Sequence, residues 1–184
     1  MKPRLKGAGL ASLILIALSS MLPIRALKPT ARDYLTPKEE ERVKEAQILD
    51  KRIEVFIKAA GRRLLVLVDG GAASSKQVQK DLEKWGELPK GTRTELIMDV
   101  ANILEAAITN IDDVALRDEK NGLLPKALRK LADAATGFQA QLVSLREQTQ
   151  EAQERSAIER VLEHVQEILS AANKLPAPEK KPKG

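Results

Sequence analysis

Apolar residues recur every three or four positions along most of this chain. The first such run is Val43, Ala46, Leu49, Ile53, Phe56, Ala60, Leu64 and Leu67, the spacing that gathers side chains on one face of a helix. Ahead of it, Thr36, Pro37 and Glu39 supply an N-cap, a proline for the first turn and an acid able to reach back to the cap amide. The pattern predicts one helix from Pro37 to Val68, stopped by Asp69, Gly70 and Gly71, because glycine readily takes the left-handed conformation that ends helices.

The segment GGAASSK reads as a loop, and Val78, Leu82 and Trp85 mark a short helix ended by Gly86 and Pro89. Thr92 and Glu95 repeat the capping box, and Leu96, Val100, Ile103, Ala107, Ile111 and Val114 predict a helix through about Asp118. RDEKNGLLPK follows, residues 117 to 126. Read as a calcium loop with Gly122 in sixth place, it would put Arg117 first and Leu128 twelfth, where Asp and a bidentate Glu are needed. It is therefore a turn between helices, with Asn121 and Gly122 as the left-handed residues and Pro125 in the next first turn. Beyond it Leu128, Leu131, Ala135, Phe138, Leu142 and Leu145 alternate in steps of three and four, a heptad-like seam. The stripe then lapses over residues 146 to 157 and resumes out of phase at Ile158, Leu162, Val165, Leu169 and Ala172. Ser156 and Glu159 form a third capping box there, which favours two helices over one rod.

Four long amphipathic helices and one short one, joined by short loops, predict an all-α antiparallel bundle over residues 36–174. An extended stretch, 27–35, precedes it and a Pro- and Lys-rich tail, 175–184, follows, the latter of a composition that favours disorder. The expected core comprises Ile53, Phe56, Ala60, Leu64, Val100, Ile103, Leu104, Ala107, Ile111, Leu131, Phe138, Leu142, Leu145, Leu162, Val165 and Leu169.

The amino terminus follows a different logic. Lys2, Arg4 and Lys6 precede the charge-free run Leu10 to Leu18, and small and turn-forming residues follow. This is the layout of a secretory signal peptide over residues 1–26, with cleavage after Ala26; the run is short of the roughly 20 apolar residues that span a bilayer. The expected product is periplasmic or secreted, without a transmembrane anchor. The formal net charge of +5 falls to about +1 once Lys2, Arg4, Lys6 and Arg25 leave with the leader. A nucleic-acid footprint needs a clustered basic face, usually with aromatic stacking groups. Tyr34, Phe56, Trp85 and Phe138 are scattered, so no nucleic-acid partner is expected. With no Cys in the chain, disulfides, lipid-modified cysteine and covalent haem are impossible.

Little in the chain points to catalysis. Ser74, Ser75 and Lys76 lack the Gly-Lys-Ser/Thr core of a phosphate loop, and no G-x-S-x-G turn exists. Asp112 and Asp113 are adjacent, so on a helix they diverge by about 100° and cannot flank one bond. Di-iron bundles use Glu-x-x-His pairs, but the residue three before the single His164 is Val161. Haem would have to rely on Met98 and His164. No catalytic, metal or cofactor residues are expected. The candidate interaction surface is Trp85, on its short helix, with Leu128, Leu131, Leu142 and Leu145 of the seam, where a second chain or another protein could pair.

Two resemblances accompany this reading. YLTPKEEERVKEAQ, residues 34 to 47, is similar to the Leu-Thr-x-x-Gln signature of small periplasmic stress-response chaperones, with Glu39 standing where the Gln is expected and no second copy of the motif. DKRIEVFIKAAGRRL (50 to 64) and TNIDDVALR (109 to 117) resemble uncharacterised exported helical proteins of environmental bacteria, a likeness that implies compartment and fold and no activity. The expectation is a noncatalytic, exported bundle that works by protein binding, with a holdase-like chaperone as the alternative and a small cofactor or metal bundle as a second, disfavoured one.

Overall fold

The computed structural model describes residues 32–68 and 76–176. Residues 1–31, 69–75 and 177–184 lie outside that range, and with them the expected signal peptide and most of the expected GGAASSK loop and tail. Among the described residues the protein is entirely helical: α1 (Pro37–Glu45), α2 (Leu49–Val68), α3 (Lys76–Trp85), α4 (Arg93–Arg117), α5 (Leu124–Gln148) and α6 (Ala152–Asn173), with no strand. Two of the three expected capping boxes form. Thr36 Oγ1 accepts from the Glu39 amide and Thr92 Oγ1 from the Glu95 amide, and each glutamate accepts from the cap amide in return.

The bundle consists of α2, α4, α5 and α6 around one core. α2 packs against α4 and α5, and α6 packs against the same two. Contacts at the helix ends set their directions. Arg93 at the start of α4 donates to the Leu67 carbonyl at the end of α2, and Arg52 reaches Asn110 at the other end, so these two run oppositely. Arg146 pairs with Glu159 across the α5–α6 hairpin, again in opposite directions. By contrast, Asp50 at the start of α2 meets Lys126 and Lys130 at the start of α5, and Arg93 meets Glu154 at the start of α6. Those neighbours run the same way. The short α4–α5 turn thus joins helices that share little contact, and a short loop does not make every neighbouring pair antiparallel.

Three local expectations are corrected. The predicted helix from Pro37 to Val68 is two helices, broken at Ala46, Gln47 and Ile48, where no Gly or Pro marks the spot. Ala46 leaves the helical region, its carbonyl accepts from Arg52 Nε, and the Ile48 carbonyl starts α2. Unbroken, the helix would hold Glu39 and Arg63 about 36 Å apart; folded back, they touch. The second break falls at Thr149, not Ser156. Thr149 takes extended backbone, its hydroxyl accepts from the Glu151 amide and its carbonyl from Arg155, while Ser156 is exposed inside α6. The third concerns the 118–123 turn, where neither Asn121 nor Gly122 is left-handed. Asn121 Oδ1 instead accepts from the Leu123 amide, a side-chain mimic of a backbone turn.

The predicted core is buried at fourteen of its sixteen positions; Leu162 and Leu169 are only partly covered. α6 instead buries Ala157, Ile158, Val161, Val165 and Ile168, a stripe turned into the core shared with α4 and α5. The end of the stretch expected to be extended, 27–35, is anchored as well, since Tyr34 and Leu35 pack against the core.

Candidate functional site

Trp85, Leu131, Leu142 and Leu145 are 8%, 0%, 0% and 3% exposed. The three leucines belong to the bundle core, so the seam proposed as a docking surface is consumed within the monomer. Leu128 is half-buried and packs on the same core. Trp85 ends α3 with the Arg42 guanidinium 5.0 Å from its ring centroid, a cation–π contact that covers it. These five residues do not form one surface.

What the fold brings together was not anticipated. Glu39, on α1, is fully buried, and its carboxylate accepts from Arg62 Nη1 at 2.6 Å and Arg63 Nη1 at 2.8 Å, besides the Thr36 amide at 2.9 Å. Both arginines are almost completely buried. Arg62 also donates to the Trp85, Gly86 and Glu87 carbonyls, and Arg42 donates twice to that of Lys84. Two guanidiniums therefore cap the carboxyl end of α3, where unpaired carbonyls concentrate negative charge. Gly86 leaves that helix at φ +70°, a conformation that costs glycine little. Arg63 donates to the Ala59 and Tyr34 carbonyls and lies 3.8 Å from Asp99. Burial pushes its guanidinium below the ordinary arginine value, and Glu39 opposes that push. With two cations against Glu39 and Asp99 the cluster is neutral, though both arginine Nε atoms lack a hydrogen-bond partner. This clasp binds α1, α2, α3 and α4 together; the Nη donors of both arginines are occupied by carboxylate or backbone, which marks it as structural.

Beside the clasp, a groove of about 640 Å³ opens between α2, α3 and α5. Its floor is apolar: Ile57, Gly61 and Leu65 from α2, Val78 from α3, Ala134 and Phe138 from α5. Leu65 is half-buried yet not part of the bundle core. The rim is charged. Lys58 pairs with Asp81 across the α2–α3 gap, and Lys130 pairs with Glu54 and Asp50. Contacts from Lys126 and Lys130 hold the Asp50 carboxyl down at about 2; Lys130 likewise lowers Glu54, and Glu54 in turn raises Lys130. Among the described residues, the carboxyl end of α3 is fixed by Arg62, and Asp81 on the same helix borders the groove through its pair with Lys58.

Met98 and His164 do not converge. Arg160 pairs with Glu105, so His164, one turn further along α6, lies beyond Glu105, while Met98 sits about 10 Å back along α4. His164 is partly buried, with Nδ1 3.8 Å from Glu167. No group of three or more His, Asp or Glu side chains among the described residues is placed to hold a metal ion. Nor is any described helix long and apolar enough to cross a membrane. Comparison with protein-family models, with curated proteins and with solved structures returned no significant match.

Proposed function

We propose that this is a noncatalytic exported protein of the bacterial envelope, periplasmic or secreted, which acts by binding another protein. Export is carried by the amino-terminal pattern of basic residues, apolar run and small residues. Binding is carried by one observation: the apolar groove between α2, α3 and α5, in a bundle of four long helices whose remaining stripes are turned inward. An apolar groove between helices is a recurring seat for an amphipathic segment of another protein. A holdase requires broad exposed apolar area. The large apolar side chains most exposed among the described residues are only Ile48, Val68 and Leu116, too few for a broad apolar face, which favours a discrete binder over a chaperone.

An array of immobilised peptides of varied sequence, probed with the purified protein, tests this. Saturable binding to a defined subset is expected. Uniform capture, together with suppressed aggregation of an unfolding client, would instead make it a holdase; no binding would overturn the reading.

A further inference from the structure

The charges around the groove are almost all spoken for. Lys58 is matched by Asp81, Lys130 by Glu54 and Asp50, and Arg62 by Glu39 and three carbonyls. Asp133 is the exception. It lines the groove from α5, is exposed, and has no hydrogen-bond or ion-pair partner among the described residues. An unmatched carboxylate on an apolar groove selects for a cation on whatever fills it.

The geometry narrows the occupant further. From Glu54 to Leu65 the α2 wall is about 16 Å long, three helical turns. Glu54, Ile57, Lys58, Gly61 and Leu65 line the groove along that whole length, so it is an elongated trough. Its walls are helices, and the complement of such a trough is a helix whose apolar side chains recur at i, i+3 or i+4, and i+7. We propose that the groove seats a cationic amphipathic helix of a partner protein, its apolar face on Ile57, Leu65 and Phe138 and a Lys or Arg against Asp133. This rests on the protein-binding reading above and specifies the seat and the chemistry of the partner.

Gly61 provides a way to close the seat. A Cβ there would meet only Phe138, at 3.9 Å, an ordinary contact, so a larger side chain extends into the groove, and a helical Gly is replaced by a better helix former. The probe is a synthetic, labelled Leu/Lys helix of about four turns, titrated by fluorescence anisotropy against the full chain, with a Leu/Glu helix as control. The Leu/Lys helix is expected to bind saturably at one per chain and the Leu/Glu helix more weakly. Gly61→Leu should weaken binding tenfold or more while leaving the helical circular dichroism intact, and Asp133→Lys should weaken it about threefold, the scale of an exposed ion pair. Leu65→Gln, outside the core, gives a second block should Gly61→Leu fail to fold. Equal binding of both helices, or none of either, overturns the proposal, as does binding indifferent to both groove variants. Array peptides that still bind Gly61→Leu would place the protein-binding site elsewhere and sink only the groove; an array without hits sinks both.

Discussion

Two charged clusters hold this molecule together, and they work by different physics. At the clasp, Glu39, Arg62 and Arg63 are each no more than 2% exposed, and both arginines are forked between a carboxylate and backbone carbonyls. At the α2–α5 edge, Asp50 is equally covered, but its partners Lys126 and Lys130 keep 58% and 28% of their side chains in water. The planar guanidinium is more weakly hydrated and presents fixed donors, so it can be sealed from solvent if every direction finds an acceptor. The ammonium is strongly hydrated and stays at the rim. The first cluster is thus a permanent joint between four helices, and the second a screened link between two.

Removing the shared anion should separate them most. Glu39→Ala leaves two buried guanidiniums without their carboxylate, and breaking a buried pair costs about 3–5 kcal/mol. Urea denaturation should show that loss, with α3 detaching first as judged by Trp85 fluorescence; a loss below about 1 kcal/mol would mean that the clasp is wet. A smaller effect distinguishes the two capping boxes. Thr36→Ala and Thr92→Ala each remove a cap worth roughly 0.5–2 kcal/mol. The larger loss is expected at Thr36, whose Glu39 partner also carries the arginines, and equal losses would show that the cap and clasp are uncoupled.

The smallest effect is expected at the Asp50 edge, and its sign follows from the direction of the shifts. Asp50 is depressed to about 2, so its contribution is complete above the ordinary carboxylate value of about 3.9 and is lost as pH falls from there towards 2. Lys130 is raised, so its contribution is complete below about 10.4 and is lost as pH climbs through and beyond that value. Wild-type urea midpoints should drop in both windows, and Asp50→Asn should flatten the acid one. Added salt should erode this link and leave the clasp nearly untouched.

Much of the architecture was legible because it is local. The capping boxes at Thr36 and Thr92 form from residues three apart, and the stripes of α2, α4 and α5 tolerate one inward face. In α6 two stripes shared Ile158 and Val165; Val161 with Ile168 and Leu162 with Leu169 differ by one residue's rotation, about 100°. Packing against α4 and α5 chose the former. The candidate site was less legible. A strong apolar seam at Leu131, Leu142 and Leu145 invites a partner, but α2 and α6 fill that role from within the chain. The clasp did leave a trace: Arg63 lies on the face of Phe56, Ala60 and Leu67, a cation in an apolar stripe, which is costly unless a buried acid awaits it.

The sequence by itself determined that the chain is helical, where most helices begin and which faces of α2, α4 and α5 turn inward, since periodicity, caps and propensity act over one or two turns. The tertiary structure decided that α1 folds back at Ala46, that α2 and α5 run side by side in the same direction, and that a groove lies between α2, α3 and α5. Those outcomes depend on groups far apart in the chain, Glu39 with Arg63 and Gly61 with Phe138, whose meeting no local pattern encodes.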